Sequence, residues 1–227
     1  MSIVTFQNIA KRKNQMLHIT SVATGKSVSF PAFVESFSDS FDVSWGSEES
    51  FGRVDPVKPY RSTSRRIRLD ITVLAPNLAK GEENFTQYSK LIQMLYPVYS
   101  EPLSAGGSMG RTIKAPPILR IKMMNYIQSA DGDGGLLGCI NGLSFDPDFN
   151  MGHFIRSDGT IVPKKFKISF TFTPQHDSEI GSSPSGDFLS VNFPYGQDQT
   201  QLLEEATDST SPTGQGNISN VLGVGTT

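Results

Sequence analysis

Three histidines and one cysteine are the first side chains to consider as nucleophile, base or zinc ligand: His18, His153, His176 and Cys139. Nucleophilic catalysis needs a nucleophile, a base and a group that orients the base. None of these residues has a neighbour at the spacing of a catalytic triad or a metal site. A single cysteine also excludes an internal disulfide and a cysteine-rich zinc site. We therefore expect no catalytic residue, no metal and no cofactor.

Two glycine-containing stretches share some features with ligand-binding loops. Residues 105–112 (A-G-G-S-M-G-R-T) lack the spacing and the lysine of the phosphate-binding motif G-x-x-x-x-G-K-[ST]. Residues 131–134 (D-G-D-G) begin like a calcium loop but lack the third acidic ligand and the closing glutamate. We interpret both stretches as plain loops.

Acidic residues could support a different chemistry, the hydrolysis of a glycan. That reaction needs two carboxyl groups across a cleft, at a separation set by the mechanism. The sequence offers many acids, but no motif selects a pair from Glu35, Asp39, Asp42, Asp55 and Asp70. A hydrolase therefore remains an alternative function, as does a carbohydrate-binding module.

One basic cluster precedes and enters a predicted strand: Arg53, Arg61, Arg65, Arg66 and Arg68. It could be a solvated strand face, a nucleic-acid contact or a set of ion pairs with a neighbouring subunit. The formal net charge of −2 provides no overall basic field for nucleic acid. We favour the third interpretation, because arginine is well suited to interface carboxylates. Candidate partners in an adjacent copy are Glu48, Glu49, Glu82 and Glu83.

The cluster leads into an alternating strand and then a helix. Five apolar residues at period 2 predict a half-buried strand: Ile67, Leu69, Ile71, Val73 and Ala75. After Pro76 the period becomes helical, through Phe85, Tyr88, Leu91, Ile92 and Leu95. Gly81 and Asn84 weaken the early part, so we expect a firm helix from about residue 82 to residue 96.

The rest of the chain is rich in strand and turn patterns. We expect further strands at 16–22, 27–37, 41–45, 117–128, 136–145, 151–155 and 165–173, with a long loop at 98–114. Asp158-Gly159 is a strong hairpin signal. The predicted fold is α+β but β-dominated, an antiparallel β-sandwich or half-barrel with one helix.

Length and composition favour one domain with two extensions. The 227 residues divide into an N-terminal arm (1–15), a β domain (16–176) and a C-terminal tail rich in Gly, Ser and Thr (177–227). Taken alone, that tail buries too little to offset its ordering entropy, so we expect it to be mobile until a partner holds it. Neither a signal peptide nor an apolar membrane span is evident, so we expect folding in a reducing cytoplasm and no membrane partner.

An ordered series of short motifs resembles the tube-like baseplate proteins of contractile phage tails. The series starts with F-G-R-x-D-P-x-x-x-Y-x-x-T-x-R, from Phe51 to Arg65, and continues through the strand and helix to Tyr96-Pro97. Residues 115–117 (A-P-P) and 163–164 (P-K) complete it, so the resemblance covers nearly all of 29–176.

This resemblance implies a tail-tube fold that assembles into a ring, with six copies in the family. The implied function is structural. The ring would join the central hub to the tail tube at the baseplate, and DNA would pass through its lumen without sequence-specific contact. Implied partners are the tail tube protein and the hub and wedge proteins, in a virion assembled in the host cytoplasm. The main tail tube protein itself is an alternative.

From the motif and the basic cluster together we predict a subunit interface of Arg53, Asp55, Tyr60, Arg61, Arg65, Arg66 and Arg68. Whether residues 51–65 stabilise the fold or form the contact stays open at this point. The loop at 98–114 and the two termini are further candidates for contacts with neighbouring rings, or with sheath and wedge proteins.

Overall fold

The computed structural model describes residues 15–31, 33–49, 51–101, 111–131, 134–190 and 192–196. Within these ranges the chain forms eleven strands, one α-helix and a short 3₁₀ helix at Phe149–Met151. The helix is α1 (Leu78–Met94). The strands are β1 (Leu17–Ser21), β2 (Ser27–Phe30), β3 (Phe33–Trp45), β4 (Tyr60–Leu74), β5 (Val98–Tyr99), β6 (Ile113–Ala115), β7 (Leu119–Met123), β8 (Leu136–Pro147), β9 (His153–Ile155), β10 (Ile161–Pro163) and β11 (Lys165–Pro174).

Seven of the strands form one antiparallel sheet. Their order is β2-β1-β7-β8-β11-β4-β3, so β2 and β3 lie at its edges. The pairs β9–β10 and β5–β6 are separate two-stranded sheets. The first of these hairpins turns at Asp158-Gly159, as the sequence predicts.

The core lies on one face of this sheet, where period-2 alternation places the apolar side chains. On β4, Ile67, Leu69, Ile71 and Val73 are buried, and their neighbours on β11 are Phe166, Ile168, Phe170 and Phe172, also buried. The predicted inward faces of both strands are therefore confirmed.

Helix α1 packs on the core and begins earlier than expected. The Asn77 side chain accepts a hydrogen bond from the Lys80 backbone N–H at 2.9 Å, which caps the first turn. Gly81 is buried where the helix approaches Val162 of β10, so this glycine permits a close contact and does not delay the helix start. Further along, the ring of Tyr88 stacks on Phe145 with centroids 4.5 Å apart.

The sheet curls around its core. Phe37 on β3 and Tyr126 in the turn after β7 have ring centroids 5.2 Å apart. Four strand-to-strand steps separate β7 from β3 in the sheet order, which is about 19 Å in a flat sheet. Strong curling is therefore required for the contact. The expectation of a β-dominated α+β fold with one helix and a large antiparallel sheet is confirmed.

Several strand boundaries differ from those predicted; β7, for example, ends at Met123 and not at residue 128. The expected strand 27–37 is interrupted around Pro31, which cannot donate to a ladder. After this break, β3 continues without interruption from Phe33 to Trp45 and includes the predicted strand 41–45. Strand β4 begins at Tyr60, because residues 60–66 pair with β3 before β4 reaches β11. The basic stretch is therefore partly strand.

Several predictions fall partly or wholly outside the described residues. These are most of the N-terminal arm 1–15, the centre of the loop 98–114 with most of the 105–112 motif, the glycine–aspartate pair 132–133 and the tail beyond residue 196. By contrast, residues 177–190 and 192–196 are described and pack on the domain, where the prediction was a mobile tail. Aromatic residues such as Phe193 and Tyr195 supply contacts that the average composition of 177–227 does not reveal.

Candidate interaction surface

A two-stranded extension of the β3–β4 hairpin carries most of the predicted site residues. Strand β4 pairs with β11 only as far as Ile67, whereas its pairing with β3 continues to Tyr60 opposite Trp45. Backbone hydrogen bonds then join Gly46 to Pro59 and Glu48 to Val57. We call residues 40–48 and 57–66 the extension, and residues 51–56 its tip.

Six of the seven predicted interface residues are exposed on this hairpin. Arg53 and Asp55 lie in the tip, and Tyr60 and Arg61 begin β4. Arg66 and Arg68 stand opposite Ser40 and Ser38, on the face that points away from the core. Their role in a subunit contact stays a prediction.

Arg65 is different, because its ion pair forms within the chain. Its guanidinium Nη2 lies 2.6 Å from Asp39 Oδ2, its Nε donates to Asp39 Oδ1 at 3.0 Å, and both side chains are 2 % exposed. The rings of Phe41 and Phe193 flank the guanidinium, with centroids 5.2 Å and 5.4 Å from Cζ. The predicted pairing of Arg65 with a neighbouring copy is corrected accordingly. Arg65 continues the inward register of Ile67 and Leu69, and Asp39 neutralises it there.

The C-terminal segment, residues 176–190 and 192–196, covers this ion pair. The Tyr195 hydroxyl donates to Asp39 Oδ2 at 3.2 Å, and the His176 and Phe193 rings meet edge to face at 5.3 Å. Burial lowers the pKa of His176 below its usual 6.5, and the Arg65 guanidinium lowers it further. Burial, followed by the Asp39 carboxylate, raises the pKa of Tyr195. The segment is therefore docked through polar groups as well as aromatic rings.

A groove of about 670 Å³ separates the inward side of the extension from the C-terminal segment. Phe41 and Tyr60 belong to one wall, and Phe188 and Phe193 to the other. Beyond the groove the apolar side of β3 continues in solvent, where Phe41, Val43 and Trp45 are 43 %, 48 % and 56 % exposed. Trp45 and Tyr60 pack edge to face at 5.6 Å. Phe41, Val43 and Trp45 therefore form an apolar surface that is about half open to solvent.

The acidic residues considered for glycan hydrolysis lie in different settings. Asp39 is occupied by Arg65, and Asp42 and Asp55 are exposed on the hairpin. Glu35 and Asp70 share the ammonium of Lys167, at 3.2 Å and 3.3 Å. A hydrogen bond from Thr72, followed by one from Lys167, lowers the pKa of Glu35. A general acid needs a raised pKa, so Glu35 is poorly suited to that role.

The other side chains examined as possible ligands or nucleophiles lie in strands. His18 lies in β1, His153 in β9 and the half-buried Cys139 in β8. Among the described residues, no three His, Cys, Asp or Glu side chains cluster closely enough to hold a metal ion. In the same ranges, no helix has the length and apolar character needed to cross a bilayer.

Sequence reasoning missed the partners of Arg65. Asp39 follows Phe37 and precedes Phe41 at period 2, which places a carboxylate in the inward register of β3. Opposite charges in the inward registers of adjacent strands are a readable signal for a buried pair. Tyr195 is distant in sequence and carries no comparable signal.

Comparisons with known proteins add little to this geometry. No protein-family model matches the sequence, and no curated protein matches it. A solved structure that it matches is the Dit protein of SPP1, described as a paradigm of the hub adsorption apparatus in phages that infect Gram-positive bacteria. The match has 10 % identity and a TM-score of 0.35, and covers 70 % of this chain. The chain spans about half of the Dit structure, 49 %, and a likeness at this TM-score establishes neither fold nor function.

Proposed function

We propose that this chain is a structural subunit of a contractile phage tail, where it forms a ring at the baseplate end. The ring, with six copies, joins the central hub to the tail tube and lines the channel through which DNA passes. The series of motifs from Phe51 to Lys164, which resembles tube-like baseplate proteins, supports the choice of a tail component over other assemblies.

The observation that carries the assembly part of the proposal is the uncovered edge at β3. This strand is 13 residues long, pairs with β4 alone among the described residues and contains no lysine, arginine or proline. Long edges are templates for pairing with another chain. Glu35 and Asp42 place negative charge on this one, and its pairing with β4 shifts register at Val34/Ser36 and Ser44/Trp45, so a partner strand must accommodate both features. Phe41, Val43 and Trp45 add an apolar face to this edge. Such a strand is suited to a subunit that completes its sheet with a neighbour.

Ring closure through the edge strands would pair both ends of each sheet with neighbouring copies. Strands β2 and β3 are at opposite edges of the seven-stranded sheet, so a contact between unlike edges is head to tail. Head-to-tail contacts that close by rotation form rings, and stacked rings form a tube. The curled shape of this sheet is compatible with a segment of such a wall.

The assembly is tested by removing the apolar part of the β3 edge. We expect Val43→Ser with Trp45→Ser to reduce oligomer formation in analytical ultracentrifugation by more than the loss of the half-buried Trp45–Tyr60 contact reduces monomer stability, which urea denaturation measures separately. Ile155→Ser with Ile161→Ser is the control, a second double replacement of exposed apolar side chains by serine, on the β9–β10 hairpin. Unchanged oligomers in the first variant would contradict the role of β3.

The location in the virion is tested separately. Antibodies against the chain, detected by immunogold labelling of phage particles, should mark the baseplate end of the tail. Label along the whole tail would favour the alternative, the main tail tube protein.

A carbohydrate-binding module is the second candidate, and the groove between the extension and the C-terminal segment favours it. Its aromatic walls combine flat apolar surfaces with the hydroxyls of Thr63 and Ser190, which in this structure pair with the Tyr60 hydroxyl and the Ala130 carbonyl. Binding of cell-wall fragments by the monomer, abolished by Tyr60→Ala, would support this function. Absence of binding together with ring formation would exclude it in favour of the structural role.

A further inference from the structure

The tip of the extension presents two apolar side chains entirely to solvent. Phe51 and Val54 are 108 % and 100 % exposed, as open as in an extended peptide. The ladder from Trp45–Tyr60 to Glu48–Val57 supports the loop that carries them. Burying both would remove substantial apolar area from water, so this tip is a candidate contact.

A cleft of about 560 Å³ lies elsewhere on the molecule, between the β1–β2 turn and the end of α1. Its apolar walls include Met94, Pro97, Val98 and Pro117. The charged residues that line it are Lys26 and Lys90. Its size lies within the range of typical binding pockets, which is roughly 300–1,000 Å³.

Charge favours a match between the tip and this cleft. Arg53 and Asp55 balance each other within the tip, whereas Glu48 and Glu49 outnumber Lys58 in the rest of the loop between β3 and β4, so residues 46–59 carry a formal net charge of −1. Two lysines at the cleft give it the opposite sign. A loop without net positive charge is poorly suited to an anionic lipid surface, which attracts basic segments.

We propose that Phe51 and Val54 of one copy dock into the cleft at Lys26, Lys90 and Met94 of the next copy. The inference rests on the proposed ring and identifies one contact within it. Tip and cleft share no residues, so the contact is head to tail and leaves a tip and a cleft at the ends of any open chain. The carboxylates beside the tip of one copy then lie close to Lys26 and Lys90 at the rim of the cleft of the next copy.

Directed cross-linking tests this register. Two single-cysteine chains are made in a Cys139→Ser background, Arg53→Cys beside the tip and Gln93→Cys at the exposed side of the cleft. Mixed under mild oxidation, they should form a disulfide-linked heterodimer, because linkage requires Cα atoms within roughly 7 Å. Arg53→Cys mixed with Ser157→Cys, on the exposed turn of the β9–β10 hairpin, is the control.

The outcomes separate this contact from the ring itself. Oligomers with a linked Arg53–Gln93 pair support both. Oligomers whose cross-linking does not exceed the Ser157 control overturn the tip–cleft contact and leave the ring intact. Cross-links without closed rings support the contact and count against the ring, and monomers without cross-links overturn both.

Substitution at the tip provides an independent readout. We expect Phe51→Ser to weaken self-association roughly tenfold or more, because an apolar ring that would be buried is lost. The melting temperature of the monomer should not change, since Phe51 contacts little in its own chain. Phe149→Ser is the matched control, an equal change at a side chain that is 74 % exposed on another surface. Equal effects of both variants would overturn the proposal.

Discussion

Arg65 and Asp39 form an ion pair at 2.6 Å across the β3–β4 ladder, and each side chain is 2 % exposed. The pair lies where β4 leaves β11, beneath Phe193 and Tyr195 of the C-terminal segment. It therefore joins three parts of the chain: the sheet, the base of the extension and residues far along the sequence.

Breaking this pair from one side should be costly. We expect Asp39→Ala to reduce the free energy of unfolding by about 3–5 kcal/mol, because the Arg65 charge stays buried without its partner. Urea denaturation measures the loss. Glu83→Ala is the control, since its pair with Lys80 is half exposed and should contribute about 0.3–0.5 kcal/mol.

Replacing both partners tests whether the cost comes from the uncompensated charge. Asp39→Leu with Arg65→Met should be more stable than Asp39→Ala, because no charge then remains in the buried site. A loss below about 1 kcal/mol in Asp39→Ala would contradict the description of a buried pair.

Lowering the pH should reduce the free energy of unfolding, because unfolding allows His176 to bind a proton. Its pKa is lowered in the folded state by burial and then by Arg65, whereas Asp177 and Asp39 act in the opposite direction. The unfolded chain, with a pKa near 6.5, therefore binds more protons, and stability falls as the pH drops through 6.5 toward the folded pKa. His18 shifts in the same direction, through burial and Lys122.

We expect His176→Gln to flatten this dependence between about pH 7.5 and about pH 5.5 in urea denaturation midpoints. Adding His18→Gln should flatten it further. His153→Gln, at an exposed position on β9, serves as the control. An unchanged pH slope in both His176→Gln and the double variant would refute this account of acid sensitivity.

Gly81 is expected to be intolerant of alanine despite lying in a helix. Alanine normally stabilises a helix by about 1 kcal/mol relative to glycine. Here the added Cβ would lie 2.9 Å from Val162 Cγ1 and 3.5 Å from Ala75 Cβ, so we expect a net loss of about 1–2 kcal/mol. Thermal unfolding would measure it. Val162→Ala should make room, so Gly81→Ala should cost less in that background, and an equal cost in both would show that the close contact is not the cause.

The exposed arginines should affect assembly but not folding. Arg66→Glu with Arg68→Glu reverses two charges on the outward face of β4, so the monomer should change by less than about 0.5 kcal/mol. If these residues pair with a neighbour's carboxylates, ring yield in size-exclusion chromatography should fall. Arg156→Glu, a charge reversal at an exposed position between β9 and β10, is the control. Equal yields from wild type and the Arg66–Arg68 variant would exclude these two residues from the interface.

The sequence was sufficient for the regular part of the fold. Uninterrupted alternation identified the inward faces of β4 and β11, and helical spacing identified α1, because a residue's environment in these elements follows directly from its period. The ends of the strands were harder to predict from the sequence. Pro31 interrupts pairing, but the single run of β3 through Phe37 and Phe41 depends on its partner strand β4.

The candidate site was predicted only in part, for a physical reason. Arg65 lies in the same arginine-rich stretch as Arg66 and Arg68, and the sequence does not distinguish it from them. Only the pairing of β4 with β3 shows that Arg65 faces Asp39. The positions of Phe193 and Tyr195 depend on contacts across more than 150 residues of sequence, as the Tyr195–Asp39 hydrogen bond shows. Local patterns carry no information about such contacts.

Negative-stain electron microscopy of the purified chain, with its mass measured in solution, tests the central proposal most directly. We expect closed rings with a central channel, a mass near six times 24.8 kDa, and loss of these rings in Val43→Ser with Trp45→Ser. A chain that stays monomeric at all concentrations, both alone and with purified hub or tube protein, would contradict it.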